Sequence, residues 1–333
     1  SYRLWCIYEG VNVNPLITIV GPTAVGKTDL TLDLAEQLHA EVISGDAYQV
    51  YKQLNIGTAK PSADELKRVK HHLIDILEPN DSYSVSIFQN QAKEIIGRLN
   101  DRNILPILSG GTGLYVQSLL ENYNFNDVKP DESLRLELDE LFNAKGIEGL
   151  REYAFTLGKE HNIEIQYSDK HRLYRAIEIL HHGDVDSLRN QTKDGVSYKG
   201  SVIGLMRDRD QLYERINLRV DMMFDAGLIE EVEIMFEKGL VDEVKQLLKN
   251  GVNPNCQAFK GIGYKEVVDY INDNITLDEC RDLIKKNTRH FAKRQITWYK
   301  RMPYIEWIHI DSNTSKDFIF NKAMDLIRRE GLA

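Results

Sequence analysis

The chain has 333 residues, 42% of them hydrophobic and 28% charged, enough apolar sequence to build one large domain or two modest ones. It contains no apolar run long enough to cross a membrane, and its opening "SYRLWCIYEGVNVN" lacks the sustained apolar centre of a secretory leader. A net charge of −9 points away from polyanions, and Cys6, Cys256 and Cys280, scattered without a C-x-x-C pair, point to a reducing cytoplasm and away from structural zinc.

Residues 1–14 begin without Met and read as an N-terminal extension or an expression remnant. The apolar run "LITIV" (16–20) then leads into "GPTAVGKT" (21–28), and the helical "DLTLDLAEQL" follows. This is G-x-x-x-x-G-K-[ST] in a strand–loop–helix context, the P-loop of the nucleotide-binding and ATP-binding class. Gly21, Pro22, Thr23, Ala24, Val25 and Gly26 form a loop whose backbone N–H groups turn toward phosphate at a helix N-terminus. Lys27 reaches the outer phosphates, and Thr28 offers its hydroxyl to Mg²⁺. A P-loop grips a chain of phosphates, and that chain need not belong to ATP.

"EVISGD" (41–46) reads as a second strand, "HHLIDIL" (71–77) as a third and "ILPILSGG" (104–111) as a fourth, with amphipathic stretches such as "SIFQNQAKEIIGRL" between them. Such alternation predicts an α/β fold, a P-loop NTPase-like parallel sheet flanked by helices, with ligands at the carboxyl ends of the strands. The P-loop, Asp46 and "SGGTG" each follow a strand, so they are expected to meet in one cleft. The usual Walker-B aspartate is missing, because "ILPIL" runs into "SGGTG" without a carboxylate. The strand-end acid is Asp46 instead, better placed as a base than as a lone metal anchor. Taken singly, it reads equally well as a helix N-cap.

The core is expected over 15–125, a charged helical insertion over 126–196, and a return to the core over 197–333, with strands at "SVIGLMRD" (201–208) and "YIEWIHI" (304–310). In the insertion, "HRLYR" puts His171, Arg172 and Arg175 on one helical face, opposite Leu173 and Ile177. In "DQLYERINLRVDMM", Leu212, Ile216, Val220 and Met223 form an apolar stripe, with Arg215 and Arg219 on another face. Taken alone, either arginine reads better as a surface partner for Glu214 or Asp221. "GLIEEVEIMFEK" (227–238) is repeated at once as "GLVDEVKQLLKN" (239–250). Twelve residues put a helix out of phase by about 120°, so the two copies are expected to form separate helices in a peripheral hairpin that turns at Gly239. Leu228, Val232 and Met235 would be buried in one copy, and Leu240, Val244 and Leu247 in the other.

Between Leu283 and Ile305 there are seven positive charges and no acidic residue, so the rest of the chain carries −16. That asymmetry marks a local footprint for a polyanion, or else a solvated helix face.

"GPTAVGKT", "ISGDAYQVYKQLNIGTAKP", "SGGTGLYV" and "AKRQITWYKR", in this order and spacing, resemble the tRNA dimethylallyltransferases, also called tRNA isopentenyltransferases. The resemblance runs from about Leu16 to the C-terminus. It implies that the P-loop holds dimethylallyl diphosphate and that the prenyl group passes to N6 of the adenosine 3′ of the anticodon in tRNA. It also implies Asp46 as the base, with Arg219 and Thr28 as catalytic partners on the diphosphate and Mg²⁺ as cofactor. Positions matching tRNA contacts are Asp46, Ala47, Tyr48, Gln49, Thr112 and Arg135, then His171, Arg172 and Arg175. Further ones are Lys260, Gly263, Tyr264 and Lys265, and along the last basic stretch Lys293, Arg294, Gln295, Trp298 and Lys300. Tyr264 and Trp298 could stack on bases or simply pack, and packing is the better reading for Trp298. Ala47 stands where the family often has Ser, which puts one base-side hydrogen bond in doubt. The stretch from Gly227 to "GIGY" is about twelve residues longer than family spacing, and the zinc finger of eukaryotic relatives is absent, as in bacterial members.

The resemblance implies a cytoplasmic enzyme, expected as a monomer without a membrane or an obligate protein partner. Three rivals remain. An ATP-dependent small-molecule kinase predicts a Walker-B aspartate. An adenylate (AMP or ADP) prenyltransferase predicts no basic C-terminal stretch. A non-catalytic RNA-binding module would have no use for the P-loop.

Overall fold

The computed structural model describes residues 14–79, 81–123, 131–182, 188, 196–237 and 261–333. They form two compact units, one of Ser1–Gln117 with Tyr198–Ala333 and one of Ser118–Ser197.

The first unit is built on a parallel sheet with strand order β3-β2-β4-β1-β5-β6. Its strands are β1 (Ile17–Val20), β2 (Glu41–Gly45), β3 (His71–His72), β4 (Pro106–Gly110), β5 (Val202–Arg207) and β6 (Ile305–Ile310). Every residue of β1 is buried, as the unbroken apolar run requires of a central strand covered on both faces. Around the sheet lie α1 (Lys27–Leu38), α2 (Ala63–Arg68), α3 (Val85–Asp101) and α4 (Gly113–Leu120), the last running past the unit boundary. In the second unit are α5 (Glu132–Glu160) and α6 (Lys170–His181). The first unit resumes with α7 (Arg209–Asp225), α8 (Leu228–Glu237), α9 (Tyr264–Ile271), α10 (Leu277–Lys300) and α11 (Lys316–Arg329).

Register decides where the loops emerge. Val20 and Gly45 both stand beside Gly110, so the segments after β1, β2 and β4 leave the sheet at one level. Strand β5 runs three residues beyond Gly204, the partner of Val20, and this carries Arg207 over the P-loop. The stripe of α7 is buried at Leu212, Ile216 and Val220, while Met223 lies at the cavity described below.

Two expectations need correction. "HHLIDIL" pairs with β2 only at His71 and His72. Leu73 (φ 63°) and Asp75 (φ 54°) then turn left-handed, which no strand accommodates, and the ion pair from Lys60 to Asp75 holds the turn. The first copy of the repeat forms α8 and buries Leu228, Val232 and Met235 as expected, but it is not peripheral. The Glu231 carboxylate accepts the backbone N–H groups of Asn55 (3.2 Å) and Ile56 (3.0 Å) and the Tyr264 hydroxyl (2.5 Å). Helix α8 therefore supports the "NIGT" loop. The second copy, with Gly239, Leu240, Val244 and Leu247, lies outside the described residues.

Candidate active site

The loops after β1, β2 and β4, together with α7, α9 and α10, enclose a cavity of 860 Å³. Lys27, Thr28, Asp46, Tyr48, Thr112 and Arg219 all line it. The cleft expected at the strand ends is thus a single concavity.

The P-loop takes its shape from left-handed backbone at Ala24 (φ 64°) and Gly26 (φ 113°). Glycine supplies the second at no steric cost, but Ala24 must be held there. Two guanidinium groups do so: Arg215 Nε donates to the Ala24 carbonyl (2.8 Å), and Arg207 Nε donates to that of Val25 (2.9 Å). Neither bond is a surface ion pair, and Asp221, the partner open to Arg215 on sequence, is taken by Arg281 (3.0 Å) and Lys285 (2.9 Å). Arg207 escaped the sequence reading altogether. Its only signal is a cation at the end of a strand two residues longer than its neighbour β1.

Lys27 Nζ donates to the Gly21 carbonyl (2.6 Å), and Arg219 Nη1 approaches the Thr23 hydroxyl at 3.5 Å. Burial pushes the Lys27 ammonium down to about 8, with Arg219 adding to the shift and Asp46 opposing it. Burial likewise holds Arg219 below its usual value. An anion beside these two buried cations would offset their mutual repulsion and their burial.

Asp46 is raised above the ordinary carboxylate value by burial, against the pull of its backbone hydrogen bonds, Lys27 and Arg219. Its two oxygens are distinct. Oδ1 accepts the N–H groups of Tyr48 (2.8 Å) and Gln49 (3.0 Å), the turn that explains why the residue also looks like a cap. Oδ2 has no hydrogen-bond partner among the described residues and faces Gly111, where a side-chain carbon would come within 2.6 Å of it. One oxygen anchors the loop and the other is available to take a proton.

Thr112 accepts the Ala47 N–H (3.0 Å), so the loop after β4 braces the loop after β2. Ser44 Oγ donates to Gln49 Oε1 (3.0 Å), and Gln49 Nε2 donates to the Thr58 carbonyl (3.2 Å). Ala47 is buried and does not line the cavity.

Of the positions expected at tRNA, Asp46, Tyr48, Gln49, Thr112, Tyr264, Lys265, Arg294 and Gln295 reach the cavity. Tyr264 is buried, its hydroxyl donating to Glu231 and accepting the Gly57 N–H (3.0 Å), so it packs rather than offering a stacking face. Gly263, at the turn before α9, donates its N–H to the buried Glu266 (2.6 Å). Lys293, Arg294 and Lys300 are exposed on α10, and the partly buried Trp298 abuts Gly113. Gln295 is buried, with both ends of its amide bonded inside the protein. Lys260 lies outside the described residues.

In the second unit, Arg135 (2.7 Å) and Arg175 (4.0 Å) face the buried Glu178, and the Arg172 guanidinium lies over the ring of Tyr167 (4.1 Å). His171 is exposed on the same helix, opposite the buried Leu173 and Ile177. Among the described residues, no group of three or more His, Cys, Asp or Glu side chains is placed to hold a metal ion.

A model of the IPP transferase family matches residues 49–237 and 232–302, and one of the isopentenyl transferase family matches residues 14–82. The first two segments overlap inside the first copy of the repeat. A tRNA dimethylallyltransferase of Halalkalibacterium halodurans is 40% identical over 306 residues, 91% of this chain and 92% of the relative. One of Alkaliphilus metalliredigens is 39% identical over 306 residues, 91% and 94% of the two chains. The crystal structure of the full-length tRNA isopentenylpyrophosphate transferase from Bacillus halodurans superposes with a TM-score of 0.66 at 38% identity, covering 96% of this chain and 98% of that one.

Proposed function

The chain belongs to the IPP transferase family, among the tRNA dimethylallyltransferases, and on that basis we propose that it moves the dimethylallyl group of dimethylallyl diphosphate to N6 of the adenosine 3′-adjacent to the anticodon in tRNA. The observation that carries this reading is one cavity holding a cation-lined P-loop and a carboxylate with a free oxygen.

An exocyclic adenine amine is a weak nucleophile because its lone pair is delocalised into the ring. The new N6–C1 bond forms as the C1–O bond of the donor breaks, the electron pair leaves with diphosphate, and the N6 proton passes to Asp46 Oδ2. A base of this kind contributes roughly 10²–10⁴-fold. Charge grows on the leaving diphosphate, and the P-loop amides, Lys27 and Arg219, all at the cavity, would stabilise it. Thr28 lines the same cavity and, with diphosphate oxygens, makes the oxygen-rich set that Mg²⁺ takes. Bound there, Mg²⁺ would neutralise diphosphate charge.

The target adenine must leave the anticodon-loop stack, which costs less for an unpaired base than for a duplex pair. Tyr48, Gln49 and Thr112 stand on the Asp46 side, where the base would enter. Lys293, Arg294 and Lys300 present the charge that RNA phosphate requires, and His171 and Arg172 of the second unit are proposed as further contacts. This exposed stripe favours tRNA over free AMP, and the carboxylate-free "SGGTG" after β4 argues against an ATP-dependent kinase. The proposed tRNA substrate supports a cytoplasmic location. Among the described residues, no helix is long and apolar enough to cross a membrane.

The test is incubation with labelled dimethylallyl diphosphate and Mg²⁺, offering unmodified tRNA or AMP as acceptor. Label in tRNA and none in AMP is expected, and label in AMP alone would replace this reading with the adenylate one.

A further inference from the structure

Helix α10 carries the basic residues toward solvent, yet its inward face bears a polar group. Ala292, Gln295 and Tyr299 share that face and are all buried. A buried amide is tolerated only when its groups are paired, and each end of Gln295 has one partner of the right kind. Its Oε1 accepts the Thr23 N–H (2.9 Å), and its Nε2 donates to the Gly111 carbonyl (2.6 Å). Because one partner only donates and the other only accepts, a flipped amide would lose both bonds.

The two partners belong to loops serving different substrates. Thr23 is in the P-loop, its hydroxyl 3.5 Å from Arg219 Nη1. Gly111 presses against Asp46 Oδ2, so closely that a side-chain carbon there would come within 2.6 Å. One amide therefore spans from the loop that grips the leaving group to the residue backing the base. We propose that Gln295 is a positioning residue that sets the separation between the diphosphate loop and Asp46, and so between electrophile and amine. This differs from the tRNA contact implied by resemblance, and it rests on the prenyl-transfer reading above.

Transfer between two bound reactants is sensitive to their separation, and a misplacement of about 1 Å can cost roughly 10²-fold in rate. Binding is less sensitive, since each loop still offers its own groups. Gln295→Ala is therefore expected to lower the single-turnover rate of prenyl transfer by roughly 10²-fold, with the apparent constants for both substrates within about threefold. The salt dependence of the tRNA constant is expected to stay as in the wild type.

Gln295→Glu keeps the shape and the acceptor for Thr23 but faces an oxygen to the Gly111 carbonyl. It too should lose rate and not affinity, and it serves where the alanine variant does not fold. The experiment is single-turnover transfer from labelled dimethylallyl diphosphate to tRNA, at several salt concentrations, for wild type and both variants. Wild type without transfer would sink the functional reading itself. Active wild type with folded variants at an unchanged rate would overturn the positioning role alone. So would a raised tRNA constant with a flatter salt dependence, which would make Gln295 an RNA contact. A melting temperature lowered in both variants, with the transfer rate at low temperature intact, would make it a packing residue and equally overturn the proposal.

Discussion

At the scale of single residues, the division of labour between the oxygens of Asp46 selects the informative substitution. Alanine removes the base and also the Oδ1 acceptor that orders Tyr48 and Gln49. Asn keeps that acceptor and removes only the basicity. Asp46→Asn is expected to lower transfer by roughly 10²–10⁴-fold while dimethylallyl diphosphate binds within about threefold of wild type, as read by single-turnover kinetics and donor titration. A loss below about tenfold, under ~1.4 kcal/mol of barrier, would be too small for an essential base. The pH profile carries the same argument. Burial raises the Asp46 carboxyl, while Lys27 and Arg219 pull it back down. The base works only when ionised, so activity falls as pH drops through its pKa. Removing a cation raises that pKa further. Arg219→Ala should therefore move the acid limb of kcat/KM to higher pH, besides weakening the diphosphate site, and a limb that stayed in place would show that another group sets it.

At the scale of elements, α10 has two faces with separate tasks. Its buried face holds Gln295 and Tyr299, while Lys293, Arg294 and Lys300 are exposed. Neutralising these three together should raise the apparent constant for tRNA and flatten its salt dependence. Each lost phosphate contact should reduce the log–log slope by roughly 0.7–0.9, with turnover at saturating tRNA little changed. An unaltered slope would mean that the stripe meets only solvent. The repeat is a second case in which an element must be judged by what it touches. The first copy, α8, supplies Glu231 to the "NIGT" loop and buries Leu228, Val232 and Met235. Removal of 239–250 should thus restore ordinary family spacing and leave tRNA prenylation intact. Loss of soluble or active protein on that deletion would show that the second copy has its own task.

At the scale of the whole molecule, what the sequence discloses follows from how local its physical cause is. The P-loop is legible because glycines, lysine and threonine act within eight consecutive residues, and β1 because burial on both faces demands an unbroken apolar run. Asp46 is half legible: its strand end shows, but its open oxygen depends on Gly111. The braces are not legible, because their partners lie far apart in the chain. Gln295 meets Thr23 across 272 positions, and Glu231 meets Ile56 across 175. No periodicity announces a single polar side chain whose partner is a distant backbone group. Resemblance placed Gln295 and Tyr264 with tRNA contacts, whereas the structure pairs both within the protein. The Glu231 brace permits a quantitative test of such closure. Its carboxylate accepts two loop N–H groups and the Tyr264 hydroxyl, and that hydroxyl in turn accepts the Gly57 N–H. Glu231→Ala leaves the loop donors and the tyrosine without their acceptor and should cost about 1–3 kcal/mol, read from chemical denaturation. Tyr264→Phe removes one hydroxyl from the same network, so the two losses should not add. The double variant should be less destabilised than the sum of the singles, by about 0.5–3 kcal/mol. Strict additivity would mean that Glu231 and Tyr264 support the loop independently, and the three-part brace would have to be abandoned.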